Sequence, residues 1–146
     1  MELKVQIISK SPHHLPAYQT SGSSGMDLTA WLAGPLRLKP MERKLIHTGI
    51  YISLPVGYEA QVRPRSGLAI KKGLTVVNAP GTIDSDYRGE VMVAMINLSG
   101  EEQEINDGER IAQMIVSRYE TVAWERVEEL DETKRGAGGF GHSGTR

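Results

Sequence analysis

Residues 50–62, IYISLPVGYEAQV, indicate the fold class of this chain because their apolar and polar side chains alternate. Every second residue from Ile50 to Leu54 is apolar, and the same holds from Tyr58 to Val62. A period of two is typical of a β-strand with one face on a core. Residues 55–57, Pro-Val-Gly, supply turn formers between the two segments. The stretch therefore predicts a β-hairpin.

Four segments outside this hairpin also favour strands, namely residues 4–8, 91–98, 111–119 and 121–127. The segment 91–98 is apolar on both faces, which is expected of a strand buried on both sides. Sixteen glycines and seven prolines punctuate the chain, a rhythm typical of a β-sandwich or jelly roll. The sequence therefore predicts an all-β domain.

Residues 66–73, SGLAIKKG, are typical of one short helix. Ser66 is expected to cap its start, the two lysines suit the negative end of the helix dipole, and Gly73 can end it. The charged residues 125–135 favour two interpretations equally, a second short helix or a solvated connector.

The composition excludes several classes of function. The chain has 146 residues and a formal net charge of -1, which fits one domain and provides no basic excess for binding nucleic acid. It has no cysteine, so a disulfide scaffold, a thiolate nucleophile and a cysteine-ligated metal are excluded. No apolar run approaches the roughly 20 residues of a membrane helix, and the first residues lack the apolar core of a signal peptide. We expect a cytoplasmic protein that binds neither membrane nor nucleic acid.

Residues 63–69, RPRSGLA, combine the features of an anion site. A strand ends in two arginines, and a serine and a glycine then open a helical turn whose free backbone N–H groups attract phosphate. Arg65 offers a planar fork suited to phosphate, and Gly67 allows a ligand to approach the backbone. The alternative is a capped turn with its arginines in surface ion pairs, because such turns are common.

Residues 78–90, NAPGTIDSDYRGE, form a long hairpin loop between two predicted strands. Asp84 and Asp86 are two residues apart, so in an extended segment their carboxylates point the same way. One could act as a general base on water while the other serves an arginine. The alternative is that both make turn hydrogen bonds, as aspartate often does.

Residues 108–113, GERIAQ, are a weaker signal. They indicate a turn entering a strand, with Arg110 and Gln113 as polar contacts on opposite faces. A salt-bridged arginine is the favoured interpretation of this segment.

The tail, residues 135–146, RGAGGFGHSGTR, is too rich in glycine to pack a core. Phe140 is the only phenylalanine in the chain, and on a mobile arm it could stack on a base while polar neighbours meet phosphates. The alternatives are a disordered terminus and an arm for single-stranded nucleic acid. The second is poorly supported, because one aromatic and two arginines make a thin groove.

Five segments, in this order, make the chain resemble the trimeric dUTPase family. They are SGMDLTA at 24–30, which is similar to the family's AGxDLxA, RPRSGLA at 63–69, GTIDSDYRGE at 81–90, GERIAQ at 108–113 and RGAGGFGHSGT at 135–145. The resemblance covers nearly the whole chain, and five ordered motifs are specific although each alone is modest.

The resemblance implies a jelly-roll-like or β-clip barrel of short strands with one short helix, assembled as a homotrimer. It divides the chain into a β-domain at 1–134 and a flexible arm at 135–146 that closes over a site shared among three chains. The implied reaction is Mg²⁺-dependent hydrolysis of dUTP to dUMP and diphosphate by attack of water on the α-phosphorus. That reaction supplies the dTMP precursor and keeps uracil out of DNA.

The resemblance also assigns roles around the nucleoside. Asp84 matches the aspartate that deprotonates the attacking water and meets the sugar 3′-hydroxyl. Tyr87 matches the tyrosine that packs under the deoxyribose and excludes a 2′-hydroxyl. The groups that read the uracil edge match Asn78 and the backbone around Thr82 and Ile83. Met92 matches a further substrate contact.

Other matched residues belong to the triphosphate side of the site. Arg65, Ser66 and Gly67 match the triphosphate cradle, and Gln113 matches a polar contact to phosphate. Magnesium would be held mainly by the triphosphate and waters, with Asp27 matching a carboxylate near them. In the tail, Phe140 matches the aromatic that stacks on uracil. The groups that close over the phosphates match Arg135, Ser143 and Thr145.

Two other functions on the same scaffold are alternatives. A dCTP deaminase would need a glutamate-based site for activating water and typically a longer chain. A non-catalytic nucleotide-binding module would be expected to have lost Asp84 or the tail, and this chain has both.

Overall fold

The computed structural model describes residues 2–146, and these form ten strands and one helix. Their order and bounds are β1 Gln6–Ser9, β2 Met26–Thr29, β3 Leu36–Leu38, β4 Arg43–Ser53, β5 Tyr58–Arg63, α1 Ser66–Lys72, β6 Leu74–Val76, β7 Gly81–Ile83, β8 Glu90–Asn97, β9 Gln103–Ile105 and β10 Arg110–Arg118. The predicted all-β class with a single short helix is confirmed.

Two four-stranded sheets and a two-stranded ribbon build the domain. The first sheet has the order β1-β4-β8-β6, the second has the order β2-β10-β5-β7, and β3 pairs with β9. All pairings are antiparallel. The buried side chains of both sheets form one core, which includes Leu28, Ile46, Val62, Val93 and Met114. Because each sheet ends in edge strands, the sheets are open and do not close into a barrel, whereas the expected arrangement of short strands with one helix is found.

The predicted hairpin over residues 50–62 is correct in its strands and its turn but wrong in its pairing. The N–H of Tyr58 donates to the carbonyl of Pro55 (3.2 Å), which closes the turn. However, β4 pairs with β1 and β8, whereas β5 pairs with β10 and β7. The turn therefore carries the chain from one sheet to the other.

Three more predicted strands are confirmed with shifts of one or two residues, as β1, β8 and β10. Residues 91–98 were expected to be buried on both faces, but within this chain most of the strand is fully buried on one face only. Val91, Val93 and Met95 are buried, but Met92 and Ala94 on the other face are half-buried. The loop predicted at 78–90 lies between β6 and β8, which pair with each other.

The predicted helix is confirmed as α1, and Gly73 ends it in the left-handed conformation (φ 65°). Its N–H donates to the carbonyls of Ala69 and Leu68. The predicted serine cap is wrong: the helix is preceded by Arg65 in an extended conformation, and no side chain caps its first turn.

Residues 119–146 form neither helix nor strand, and nearly all of them are exposed. The strand expected at 121–127 is therefore wrong in the single chain, since no strand of the same chain lies beside it. Residues 125–135 agree with the solvated connector rather than the helix. None of the helices in residues 2–146 has the length and apolar character to cross a membrane.

Candidate active site

Two adjoining cavities surround β7, and they share Thr82, Ile83 and Met92. The larger, of about 220 Å³, is lined by Leu45, Thr82, Ile83, Asp84, Tyr87, Glu90, Val91 and Met92. The smaller, of about 70 Å³, is lined by Val62, Val76, Asn78, Gly81, Thr82, Ile83, Met92 and Ala94. The structure thus brings together six residues that the sequence placed around the nucleoside: Asn78, Thr82, Ile83, Asp84, Tyr87 and Met92.

The position of β7 explains why backbone groups are available in these cavities. It pairs with β5 through Ala60↔Ile83 and Val62↔Gly81, and it lies at the edge of its sheet. One row of its backbone N–H and C=O groups therefore has no strand partner in this chain. Such a row can exchange hydrogen bonds with the edge of a planar ring. A β-carbon on Gly81 would lie 3.3 Å from the Asn78 amide nitrogen, so the asparagine packs closely against this strand.

Asp84 follows β7 directly and is exposed to the larger cavity. The N–H of Tyr87 donates to the carbonyl of Asp84 (3.1 Å), which closes a turn at residues 85–86. Because the segment turns, the expected alignment of Asp84 with Asp86 along an extended strand is wrong. Of these two carboxylates, Asp84 alone lines the cavity.

The Tyr87 side chain is held by its own loop. Its hydroxyl donates to the carbonyl of Glu90 (2.9 Å), and its ring lies so close to Gly89 that a β-carbon there would overlap the hydroxyl. Arg88 closes the loop from the outside by donating to the carbonyls of Ser85 (2.6 Å) and Tyr87 (3.0 Å). The ring is therefore a fixed wall of the cavity.

A second polar cluster joins residues from three adjacent strands. Gln113 of β10 faces Asp27 of β2 on one side and Arg63 of β5 on the other. The Asp27 carboxylate lies 3.3 Å from Arg65 Nε and 3.8 Å from Arg110 Nε. Its side chain is only 9% exposed, and its Oδ1 is the oxygen nearest Arg65 Nε, a contact of opposite charges that lacks the geometry of a hydrogen bond.

The arginines of this cluster are also linked to each other. Arg65 Nη1 donates to the carbonyl of Arg110 (3.1 Å), which fixes the end of β5 against the start of β10. The favoured interpretation of Arg110 as a salt-bridged arginine agrees with its contact to Asp27. Ser66 and Gly67 are exposed at the first turn of α1, and the space beside Gly67 is open. Two positive side chains and an open backbone turn can bind phosphate.

The four predicted tail residues do not meet the others in this chain. Arg135, Phe140, Ser143 and Thr145 are all exposed, and the Phe140 ring is fully so. Arg135 Nε donates to the carbonyl of Gly138 (2.7 Å) within the tail itself. No residue of 135–146 lines either cavity at β7.

The sequence assigned no role to two polar residues beside the larger cavity. Glu90 ends the GTIDSDYRGE segment and lines the cavity, so its position in that motif was a usable signal. His47 lies on β4 with its Nδ1 2.6 Å from Glu90 Oε2. Nothing in the sequence around His47 points to this contact, because its partner is 43 residues away.

The chain is similar to known proteins in sequence and in structure. A family model described as dUTPase matches residues 11–144. The deoxyuridine 5'-triphosphate nucleotidohydrolase of Finegoldia magna is 59% identical over 142 residues, which are 97% of this chain and 99% of the relative. The protein of the same description from Cytophaga hutchinsonii is 51% identical over 144 residues, which are 99% and 94% of the two chains.

Two solved structures share the fold. A Staphylococcus bacteriophage 80alpha dUTPase with dUPNHPP has a TM-score of 0.86 at 26% identity, covering 97% of this chain and 99% of its own. A mutant dUTPase from phage phi11 of S. aureus, described with a structural Mg(II) ion, has a TM-score of 0.78. At 24% identity, with 89% of this chain and 100% of that one covered, the second likeness shows the fold alone.

Proposed function

The chain belongs to the dUTPase family, and from that premise we propose how it hydrolyses dUTP to dUMP and diphosphate. The enzyme is a dUTP diphosphatase, whose reaction supplies the dTMP precursor and keeps uracil out of DNA. The observation that carries the proposal is the meeting of six nucleoside-side residues in two adjoining cavities at β7. A cytoplasmic location agrees with the lack of cysteine in the sequence.

The nucleoside is proposed to bind along β7. Backbone groups at Thr82 and Ile83, with the Asn78 amide, pair with the uracil edge, and a site of fixed donors and acceptors mismatches cytosine. Met92 lies between the two cavities as an apolar contact. The Tyr87 ring packs under the deoxyribose. Its fixed position leaves no space for a 2′-hydroxyl, which is the basis of selection against UTP.

Asp84 is proposed as the general base that directs water onto the α-phosphorus. It lines the larger cavity beside Tyr87, and its carboxylate is exposed and therefore free to meet water and the sugar 3′-hydroxyl. Phosphoryl chemistry of this kind depends on aligning the water and neutralising charge rather than on a covalent intermediate. The proton of the attacking water passes to the Asp84 carboxylate as the bond to the diphosphate breaks.

The triphosphate is proposed to bind at Arg65, Ser66, Gly67 and Gln113. The arginine is held between the Asp27 carboxylate and the Arg110 carbonyl, so its fork is oriented before substrate binds. Donors fixed in this way stabilise the charge that develops on the leaving diphosphate without having to reorganise during the reaction.

Magnesium is proposed to enter with the substrate, held by triphosphate oxygens and water. Within residues 2–146, no three His, Asp or Glu side chains are grouped closely enough to hold a metal ion. The Asp27 carboxylate fits this arrangement as a negative group beside the proposed phosphate residue Arg65, whose Nε lies 3.3 Å from Oδ1, and it would attract the ion and its waters rather than hold the ion directly. When bound, the ion would neutralise phosphate charge and polarise the scissile bond.

A homotrimer with shared sites is part of the proposal, with a β-domain at 1–134 and an arm at 135–146. The connector after β10 exposes Val122, Trp124 and Leu130, and the Trp124 side chain is 93% exposed. Apolar side chains exposed in this number favour burial against another chain. The arm would then place Phe140 on the uracil of a neighbouring site, with Arg135, Ser143 and Thr145 closing over the phosphates.

The base assignment is tested by comparing Asp84→Asn with Asp86→Asn, which makes the same change on a carboxylate outside the cavity. Asp84→Asn is expected to lower kcat by about 10²–10⁴-fold while dUTP affinity, measured by calorimetry, is retained. Asp86→Asn is expected to keep most of the turnover. Near-normal release of diphosphate by Asp84→Asn would contradict the assignment.

A further inference from the structure

A β-bulge in β4 lies directly behind the candidate active site. The register of β4 against β8 runs to His47↔Met92 and resumes at Ile50↔Val91, so two residues are inserted. Thr48 is buried, and its hydroxyl donates to the Val91 carbonyl and accepts from the Ile50 N–H. Bulges of this kind redirect neighbouring side chains and are frequent beside active sites.

The bulge directs two donors at one carboxylate. His47 Nδ1 donates to Glu90 Oε2 (2.6 Å), and the N–H of Gly49 donates to Glu90 Oε1 (2.9 Å). Both oxygens of Glu90 are therefore engaged by β4. The Glu90 side chain is 11% exposed and the His47 side chain 60% exposed, so the histidine covers the carboxylate from the solvent side.

Glu90 matters to the site in two ways. It lines the same cavity as Asp84 and Tyr87, and its carbonyl accepts the Tyr87 hydroxyl. A carboxylate that was free to enter this cavity would repel the polyanionic substrate. Holding it against the bulge keeps the cavity available to dUTP and fixes the residue that anchors the Tyr87 wall.

We propose that His47 is a positioning residue for dUTP hydrolysis that acts through Glu90. The inference rests on the proposed binding of dUTP in the β7 cavities. His47 itself touches no reacting atom: its imidazole holds the Glu90 carboxylate on β4, away from the nucleoside and the α-phosphate that are proposed to meet Asp84 in this cavity.

The test compares four variants: His47→Ala, His47→Asn, Glu90→Gln, and a double variant that carries both His47→Ala and Glu90→Gln. His47→Ala is expected to raise KM for dUTP about three- to fivefold, the size of a half-exposed hydrogen bond to a carboxylate, with kcat nearly unchanged. In His47→Asn the amide nitrogen replaces Nδ1 as donor, so KM should stay near that of the wild type. Once the charge on residue 90 is removed, His47 should be dispensable, so the double variant and Glu90→Gln alone should have equal KM values.

His14→Ala is the matched control, because it removes an exposed histidine without a carboxylate partner. Thermal unfolding of each variant separates a general loss of stability from an effect on the site. Equal KM values for His47→Ala and the wild type would overturn the inference. So would a KM for the double variant that exceeds that of Glu90→Gln by the same factor by which His47→Ala exceeds the wild type. If instead Asp84→Asn were fully active, the proposed function would fail independently of His47.

Discussion

Replacing Asp27 by asparagine tests whether this carboxylate holds Arg65 and Arg110, the two arginines that lie beside it. The change keeps the size of the side chain, so it opens no cavity, but it removes the charge and replaces one acceptor oxygen by an NH₂ donor. The carboxylate lies 3.3 Å from Arg65 Nε and 3.8 Å from Arg110 Nε. At an effective dielectric constant of about 20, each contact corresponds to about 4–5 kcal/mol of Coulomb energy before desolvation.

The net effect must be much smaller than this Coulomb energy. The Arg65 and Arg110 side chains are 31% and 51% exposed, so solvent screens both contacts, and removing the charge also relieves the desolvation of a carboxylate that is 9% exposed. We expect Asp27→Asn to lower the free energy of unfolding by about 1–2 kcal/mol. For a chain of this size that corresponds to a fall in Tm of about 2–8 °C.

The assay is thermal unfolding at fixed protein concentration, because the stability of the proposed trimer would depend on concentration. Asp131→Asn is the control, since it changes an exposed carboxylate of the connector and should alter stability by less than about 0.5 kcal/mol. A loss of orientation at Arg65 should also raise KM for dUTP at saturating Mg²⁺. Unchanged Tm and unchanged KM in Asp27→Asn would refute the account of this cluster.

Three further predictions concern the loops and the tail. The hydrogen bond from His13, with one from the backbone N–H of Leu32, holds the pKa of Asp107 below its usual range. Because its pKa is lower in the folded state, this carboxylate stabilises the fold at neutral pH. That stabilisation is lost progressively as pH falls below about 4. Asp107→Asn should therefore lower Tm less at pH 3 than at pH 7, and an equal loss at both pH values would contradict this account of the carboxylate. Gly89→Ala should displace the Tyr87 ring, since its β-carbon would overlap the hydroxyl, and so relax selection of dUTP over UTP in diphosphate-release assays; unchanged selectivity would count against the steric wall. Deleting residues 136–146 should leave the oligomeric state in gel filtration unchanged and strongly reduce turnover, whereas loss of assembly would show that the tail is not a lid.

The strands and the turn at 50–62 could be predicted from sequence because alternation and turn formers are local properties. Their pairing could not, since a turn between two half-buried strands looks the same whether they join one sheet or cross to another. Here the two strands face the shared core from opposite sheets. The serine cap failed for a related reason: a capping residue type indicates a helix start but not which residue stands outside the first turn.

The candidate site likewise has one part that the sequence could predict and another that it could not. The segment from Asn78 to Tyr87 is nearly continuous, so a motif can identify it. The contact of Asp27 with Arg65 depends on the registers of three strands that are distant in sequence, and only the resemblance placed these residues near one ligand. The contact of His47 with Glu90 depends on a bulge, whose one signal in the sequence is Gly49, a glycine inside a strand that adopts a positive φ of 72°. In the proposed trimer the tail meets a neighbouring chain, so its place would be set by assembly rather than by contacts within one chain.

The most direct test of the central claim is release of diphosphate from dUTP, measured beside dCTP, dTTP and UTP, each with and without Mg²⁺. The account predicts fast, Mg²⁺-dependent release from dUTP and little from the other three, since the β7 edge selects uracil and the Tyr87 wall selects deoxyribose. No release from dUTP, or release of ammonia from dCTP, would contradict it and show that the cavities at β7 serve another chemistry.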